Sequence, residues 1–303
     1  MRVIVPRIAF VLLFAATASA QTVSVLPPNA VFSAGAAVVT PCNGCVAVAD
    51  FNGDGKQDIA YNIQTPAPNE GVLLGNGDGT FRTVGMPGPS LVTANAPLLI
   101  GDFNGDGKPD IALGTAIYLG IGDGTFAAPV YLTNYSGTGS VQIGAFNRDG
   151  KTDILCGTSV LLSNGDGTFR SAGTVGTVAM EGTVLVADFN RDGIPDILLS
   201  EVSGLQMAVA LGHGDGTFGN SMVFASPLAA NSLLAADFTG DGFVDLLGYS
   251  QKGFFLDVLP GKRDGTFGAV IQTANTSGLN LPLAVAADLN KDGKPDIVAG
   301  DAI

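Results

Sequence analysis

A nine-residue acidic motif that occurs six times is the feature that most constrains this chain. Its second copy reads DFNGDGKPD over residues 102–110, and the other copies begin at Asp50, Ala145, Asp188, Asp237 and Asp288. The copies start 43 to 52 residues apart. Regular spacing of this kind indicates a repeat architecture, in which each unit covers the apolar face of its neighbour.

Each copy is predicted to bind a calcium ion. Oxygen-bearing side chains at positions 1, 3, 5 and 9 and a backbone carbonyl at position 7 suit a hard cation. The glycine at position 6 permits the positive φ of a sharp turn. The predicted metal ligands are Asp50, Asn52, Asp54, Lys56, Asp58, Asp102, Asn104, Asp106, Lys108, Asp110, Asn147, Asp149, Lys151, Asp153, Asp188, Asn190, Asp192, Ile194, Asp196, Asp237, Thr239, Asp241, Phe243, Asp245, Asp288, Asn290, Asp292, Lys294 and Asp296.

The six motifs, here called the first to sixth acidic loops, are not expected to be equivalent. Ala145 removes the first ligand of the third loop, so we expect that site to be the weakest. An EF-hand is excluded, because position 12 of the first loop is Tyr61 instead of a glutamate and the flanking segments resemble strands. Converging carboxylates repel one another without metal. We therefore expect about five to six Ca²⁺ ions with a structural role, and a signalling role is the less favoured alternative.

A second motif, Gly-Asp-Gly-Thr-Phe, alternates with the acidic loops. It begins at Gly77, Gly122, Gly165 and Gly214, and a variant begins at Arg263. Asp-Gly pairs between apolar runs are typical of tight turns, in which the aspartate accepts hydrogen bonds from the nearby backbone. A metal role for these aspartates is the alternative, and turn chemistry explains them more simply.

The order of motifs predicts an all-β chain. Each unit reads as four short antiparallel strands, with an acidic loop between the first two and the Gly-Asp-Gly-Thr-Phe turn between the last two. Four-stranded units of this length are typical of β-propeller blades. We predict six blades, the last closed by joining the N-terminal segment 22–32 to the C-terminal strands, with seven blades as the alternative. The phenylalanines of both motifs are predicted to pack between blades.

These loops and turns resemble FG-GAP/VCBS repeats, which are found in integrin α-subunit propellers and many secreted bacterial proteins. The resemblance covers residues 46–300. It implies a calcium-bearing propeller with a role in adhesion or recognition. Integrin propellers have seven blades, and no adhesion-specific residue can be transferred to this chain.

The first 20 residues are predicted to be a signal peptide, and residues 21–303 a single propeller domain. Arg2 and Arg7 form a positive start, an apolar run follows, and Ala18-Ser19-Ala20 is a small-residue cleavage pattern. The apolar run is too short to span a bilayer, so no membrane span is expected. The mature chain is predicted to be secreted or at the cell surface, with the periplasm also compatible.

Charge and partners follow from where the acids lie. The formal net charge is −13, and 17 of the 27 acidic residues lie in the acidic loops. Without a basic patch, nucleic acid is excluded as a partner. We expect a monomer that recognises a protein or a surface polysaccharide. The predicted contacts are in variable connections around residues 66–70, 131–135, 201–206 and 250–255.

Catalysis is not expected. The chain has one histidine, His213, in a glycine-rich turn, and no nucleophile, base and acid set is evident. A glycan-binding lectin is the main alternative to protein recognition, and a hydrolase or lyase is a weaker one. Cys42 and Cys45 suggest a local disulfide more than a redox pair, and Cys156 reads as a buried apolar residue.

Overall fold

The chain forms a series of small antiparallel β-sheets, each built from consecutive strands. The structure is a computed structural model, and it describes residues 46–63, 69–87, 98–132, 141–176, 182–201, 206–229, 233–249, 255–275, 283–288 and 295–300. Within those residues there are strands and turns and no helix, and thus no helix of the length and apolarity that a bilayer crossing requires.

Five sheets have four strands each, and they follow one another along the chain. The first sheet contains β1 (Val46–Ala49), β2 (Asp58–Ile63), β3 (Asn69–Gly75) and β4 (Phe81–Gly85). The second contains β5 (Leu98–Gly101), β6 (Asp110–Leu113), β7 (Ala116–Tyr118) and β8 (Val130–Tyr131). The third contains β9 (Val141–Gly144), β10 (Asp153–Cys156), β11 (Ser159–Ser163) and β12 (Phe169–Thr174).

The same order continues toward the C-terminus. The fourth sheet contains β13 (Val184–Ala187), β14 (Asp196–Ser200), β15 (Gln206–Ala210) and β16 (Met222–Ala225). The fifth contains β17 (Leu234–Ala236), β18 (Asp245–Tyr249), β19 (Phe255–Leu259) and β20 (Ile271–Asn275). A two-stranded sheet follows, made of β21 (Leu283–Ala287) and β22 (Asp296–Gly300).

Sequence pattern explains which strands lie deepest. The second strands carry apolar runs after their first aspartate, such as Ile-Leu-Leu in β14, and strands covered on both faces have this pattern. β10 and β14 are buried along their whole length. The fourth strands are more exposed: in β12 the burial alternates with mostly exposed positions, so this strand lies at an outer edge. The predicted unit of four short antiparallel strands is confirmed in the first five sheets.

Apolar faces of neighbouring sheets cover one another. One core cluster joins Val72 and Leu74 of the first sheet to Ile111 and Leu113 of the second. Similar clusters join the second sheet to the third, the third to the fourth and the fourth to the fifth. First strands also contact each other, as in the pairs β1 with β5 and β9 with β13. Face-to-face stacking of consecutive four-stranded sheets is a β-propeller-like arrangement.

The phenylalanines of the two motifs connect each sheet to the next. Phe51 of the first acidic loop meets Phe126 of the following sheet edge to face, with ring centroids 5.6 Å apart. The same contact recurs at 5.9 Å between Phe103 and Phe169. It recurs again from the third loop to the fourth sheet and from the fourth loop to the fifth sheet. Packing of these rings between sheets, as predicted, is confirmed.

The two ends of the chain fall outside the described residues. The segment 22–32, which was predicted to complete the last blade, belongs to this part, as do Cys42 and Cys45. The predicted number of blades and the closure of the ring therefore remain predictions. Cys156 is described, and it is buried in β10 as predicted. Burial raises the pKa of its thiol to about 12.

Candidate metal centre

The acidic loops all connect the first and second strands of a sheet, so they lie at the same end of every sheet. The first five loops follow β1, β5, β9, β13 and β17, and each ends on the first residue of the next strand. The glycine at position 6 has a positive φ, for example 81° at Gly107. Position 4 is also left-handed, with φ of 77° at Gly105 and 61° at Arg191. Two left-handed residues curl the loop so that its backbone amides point inward.

The position-1 carboxylate accepts those amides. In the second loop, Asp102 Oδ1 accepts the N–H groups of Gly105 at 2.7 Å and Asp106 at 3.0 Å. Asp102 Oδ2 accepts the N–H of Gly107 at 2.8 Å. Asp50 and Asp237 accept the equivalent three amides, and Asp188 accepts two. The first aspartate therefore holds the backbone of the loop in its turn.

Positions 3 and 5 accept further loop amides. Asn104 Oδ1 accepts the N–H of Asp106 at 2.9 Å, and Asp106 Oδ1 accepts the N–H of Lys108 at 3.0 Å. Of the loops with lysine at position 7, the first three are described, and in each the ammonium group lies close to the position-5 carboxylate. The Nζ to Oδ2 distances are 3.2 Å for Lys56, 3.4 Å for Lys108 and 3.0 Å for Lys151. In these three loops the position-5 carboxylate is therefore already paired with a lysine ammonium group.

Position 9 has a role that the sequence pattern did not reveal. Asp110 begins β6 and is fully buried. Its Oδ2 accepts the N–H of Phe103 at 2.7 Å, and its Oδ1 accepts the N–H of Gly120 at 2.7 Å. One carboxylate therefore ties the start of the acidic loop to the end of the third strand. Fully buried carboxylates stand at this position in the first five loops: Asp58, Asp110, Asp153, Asp196 and Asp245.

Burial changes the titration of these groups. Desolvation, together with the charges of Asp102 and Asp106, raises the pKa of Asp110 to about 6, although the two backbone hydrogen bonds act to lower it. The pKa values of Asp153 and Asp196 are also raised to about 6, mainly by burial. The exposed Asp54 behaves oppositely, because the hydrogen bond from the Lys56 amide holds its pKa below the usual value.

The third loop lacks the position-1 carboxylate. Ala145 has no side-chain acceptor for the loop amides. The rest of the loop is kept: Asp149 N–H donates to Asn147 Oδ1 at 3.1 Å, and Phe146 N–H donates to Asp153 Oδ2 at 2.9 Å. In the sixth loop Asp288 is described and exposed, but Asn290, Asp292 and Lys294 lie outside the described residues, as does the side chain of Asp296.

The donor set of each intact loop fits calcium chemically. All the side-chain donors are oxygens, and an oxygen that accepts one N–H keeps a second lone pair. As placed, the carboxylates point toward loop amides, and no three His, Cys, Asp or Glu side chains of the described residues converge on a metal-sized space. The loops therefore present calcium-type donors on a turn that their own amides already hold in shape.

The Gly-Asp-Gly-Thr-Phe motifs form tight turns. Asp123 Oδ1 accepts both the N–H of Thr125 at 2.9 Å and its hydroxyl at 2.5 Å. The four other turns repeat this pair of bonds. The hydroxyl and the amide of one threonine thus occupy this carboxylate oxygen, and these contacts support the interpretation as turn chemistry.

The remaining predicted functional positions are His213 and the variable connections between strands. The exposed His213 lies in a turn, with Nδ1 3.0 Å from Thr217 Oγ1. The predicted ligand-binding connections lie largely outside the described residues. At their edges, Glu70 is buried and lies 3.4 Å from the Tyr118 hydroxyl of the next sheet, whereas Tyr131 is exposed.

Comparison with known proteins assigns the repeat. Residues 50–113, which contain the first two acidic loops and the turn between them, match the family model described as FG-GAP-like repeat. This segment is an FG-GAP-like repeat. The hydrogen bonds of the first two acidic loops recur in part in the third, fourth and fifth loops. A comparison with curated protein sequences finds no match.

Solved structures show similarity at the level of the fold. A chain of the Photorhabdus luminescens Tc holotoxin pore matches 87% of this chain with a TM-score of 0.52 and 18% identity. This chain spans only 14% of that toxin chain. BBS1N, crystallised in complex with ARL6DN, matches 86% of this chain with a TM-score of 0.54 and 11% identity, over 78% of its own length.

Proposed function

We propose that this chain is a secreted calcium-binding β-propeller that acts as a recognition module, with calcium in a structural role. The observation that carries the proposal is the repeated oxygen donor set at one end of consecutive sheets. Each intact loop offers carboxylate oxygens at positions 1 and 5, an amide or hydroxyl oxygen at position 3, and a carboxylate at position 9. A hard cation prefers this set of donors.

The residues that would hold calcium in the second loop are Asp102, Asn104 and Asp106 through their side chains, Lys108 through its carbonyl, and Asp110. When bound, calcium supplies positive charge that offsets the mutual repulsion of the loop carboxylates. The chain itself supplies the preformed turn, because the position-1 aspartate already gathers the loop amides. Less ordering is therefore required when the ion binds.

The proposal includes a closed ring. The described sheets stack in chain order, and within the described residues β21 and β22 pair as a two-stranded sheet. Residues 22–32 would supply the third and fourth strands of this sheet and give six blades within one domain, residues 21–303. A closed ring covers the apolar faces of the first and last units, and it leaves only the short outer edges of the blades.

A rigid propeller suits recognition better than catalysis. BBS1N, which resembles this chain in fold, was crystallised with a partner, ARL6DN. We propose a protein or surface polysaccharide as the partner of this chain, bound by the monomer outside the cell after removal of residues 1–20. His213 has a turn threonine as its neighbour, which supports a structural use of this side chain.

The calcium role is tested by thermal unfolding of the purified chain from residue 21 onward. We expect a higher melting temperature in millimolar Ca²⁺ than in excess EGTA, and no comparable increase in Mg²⁺. A free calcium concentration ten times the dissociation constant adds roughly 1.4 kcal/mol per site to the free energy of unfolding. Calorimetric titration should give about five to six ions, the third loop being weakest. Equal melting temperatures in Ca²⁺ and EGTA would refute the structural role of calcium.

A further inference from the structure

The third repeat, which contains the third acidic loop and the third sheet, binds the backbone of the second loop. Thr152, at position 8 of the third loop, accepts the Asp102 N–H on its hydroxyl at 3.0 Å. The N–H of Thr152 donates to the Asp102 carbonyl at 2.7 Å. Asp102 is the predicted position-1 ligand, and its carboxylate accepts three amides of its own loop. Both backbone groups of this ligand are therefore held by the following repeat.

Gly101, the residue before the second loop, leaves room for Thr152. A Cβ atom at Gly101 would lie 2.6 Å from Thr152 Cγ2, well inside the distance at which packed carbon atoms attract one another. Alanine stands at this position before the first, fourth and fifth loops, as Ala49, Ala187 and Ala236. The glycine of the second repeat and the threonine of the third therefore form a complementary pair.

A second hydroxyl of the third repeat also binds the second loop. Ser163, the buried last residue of β11, donates its hydroxyl to the carbonyl of Phe103, which follows Asp102. The four other sheets have glycine at this position: Gly75, Gly120, Gly212 and Gly261. A Cβ atom on any of these glycines would overlap the carbonyl oxygen of the position-8 residue. Because Ser163 carries a Cβ atom, the backbone of Thr152 follows a different course from that of the other position-8 residues.

The first and second loops form a matched pair for measuring the effect of Thr152. Their sequences, DFNGDGKQD and DFNGDGKPD, carry the same predicted ligands at positions 1, 3, 5, 7 and 9. The first loop is followed by Pro109 at position 8 of the next loop, whereas the second is followed by Thr152. Proline has neither an N–H nor a hydroxyl group, so Pro109 cannot give Asp50 the two bonds that Thr152 gives Asp102.

We propose that Thr152 is a positioning residue for the second calcium site, through which the third repeat raises the calcium affinity of the loop before it. Holding both backbone groups of Asp102 restricts the chain that carries the first ligand, so less ordering remains when the ion binds. The second site therefore binds calcium more tightly than the first, although their ligands are the same. This inference rests on the proposed calcium role.

The experiment compares the calcium affinities of the two matched loops in the purified chain from residue 21 onward. The amide resonances of Gly55 and Gly107, at position 6 of the two loops, report each site separately during a Ca²⁺ titration followed by NMR. The second site should bind about three- to ten-fold more tightly than the first, the ratio that one net hydrogen bond provides. Equal affinities of the two wild-type sites would overturn the proposal.

Thr152→Val keeps the shape and the N–H of the side chain's residue but removes the hydroxyl acceptor. It should lower the affinity of the second site to about that of the first and leave the first site unchanged. Thr152→Ser, which keeps the hydroxyl, should retain the wild-type affinity. An equal loss at both sites in Thr152→Val would indicate a general structural effect and would overturn the positioning role.

Gly101→Ala tests the same contact from the other repeat. The added methyl group displaces Thr152, so this variant should weaken the second site as Thr152→Val does. Gln57→Val is the matched control, because the exposed Gln57 stands at position 8 of the first loop, and it should leave the second site unchanged. Wild-type affinity of the second site in Gly101→Ala would contradict the proposal.

A measurement without metal separates this inference from the calcium role. The amides of Asp106 and Gly107 donate to the Asp102 carboxylate. In EGTA, Thr152→Val should speed their hydrogen exchange about three-fold or more, because Asp102 is held less firmly. A wild-type chain that shows this exchange difference and binds no Ca²⁺ would refute the calcium role and support the positioning of Asp102. Normal calcium binding with no effect of Thr152→Val would refute the positioning and support the calcium role.

Discussion

The second and third acidic loops have the same turn, but they are held by different contacts. In the second loop, Asp102 accepts three backbone amides. In the third loop the Ala145 side chain accepts none. Gly150 nevertheless has a positive φ of 82°, close to the 81° of the equivalent Gly107, and Asp153 accepts the equivalent two buried amides. The buried position-9 carboxylate is therefore common to the first five loops, whereas the position-1 carboxylate is missing from the third loop.

The third loop makes additional contacts with its neighbours. Thr152 binds Asp102 twice: its hydroxyl accepts the Asp102 N–H at 3.0 Å, and its own N–H donates to the Asp102 carbonyl at 2.7 Å. On the other side, Arg148 Nη2 lies 3.5 Å from the Asp192 carbonyl of the fourth loop. The third loop, whose predicted metal site is the weakest, thus makes hydrogen bonds to both the second and the fourth loops.

The largest expected effect tests the buried position-9 carboxylates that these loops share. Asp110→Ala and Asp153→Ala each leave two buried backbone amides without their acceptor, which should cost about 2–5 kcal/mol of unfolding free energy. Chemical denaturation measures the loss, and Asp123→Ala in an exposed turn is the control. A clearly smaller loss for Asp153 than for Asp110 would show that the third loop is not held in the same way.

The same buried carboxylates predict a pH dependence. Their pKa values in the folded state are raised to about 6 for Asp110, Asp153 and Asp196. The folded state therefore binds protons more tightly than the unfolded state. Lowering the pH from 7 to 5 should raise the unfolding free energy of the protein from which calcium has been removed. The gain is on the order of 1 kcal/mol per carboxylate.

Other groups act in a different pH range. Exposed carboxylates such as Asp54 and Asp78 have lowered pKa values, so their contribution is lost only below about pH 4. Melting in EGTA, recorded from pH 7 to pH 5, isolates the buried groups. A melting temperature that falls steadily across this interval would contradict the raised pKa values.

Removing the position-1 carboxylate should make the second loop resemble the third. Asp102→Ala loses three hydrogen bonds at a mostly exposed site, where water compensates in part, and should cost about 1–2 kcal/mol. It should also remove one ion from the calorimetric stoichiometry. Asp264→Ala, in a turn of the fifth sheet, should leave the stoichiometry unchanged.

The smallest expected effect runs in the opposite direction. Ala145→Asp gives the third loop an acceptor for its amides and should add about 0.5–1 kcal/mol to the unfolding free energy, with a further gain in calcium. Ala145→Asn is the matched control, since it offers an acceptor with no charge. An aspartate variant that is no more stable and binds no more calcium would show that the position-1 residue is not what distinguishes the two loops.

The pattern of the chain predicted the repeat, the order of strands and the aromatic contacts between sheets. These features are local or recur, so spacing alone reveals them. It did not predict that Asp110 would be fully buried with both oxygens on backbone amides, because its acceptor role joins Phe103 to Gly120 across the sheet.

The aromatic contacts between sheets have a consequence for assembly during synthesis. Phe51 is covered by Phe126, which lies in the following repeat, and Phe103 is covered in the same way by Phe169. As the chain leaves the ribosome, each of these loop phenylalanines lacks its partner ring until the next repeat has emerged. A chain interrupted between two of these repeats therefore ends with a loop phenylalanine whose edge-to-face partner is missing.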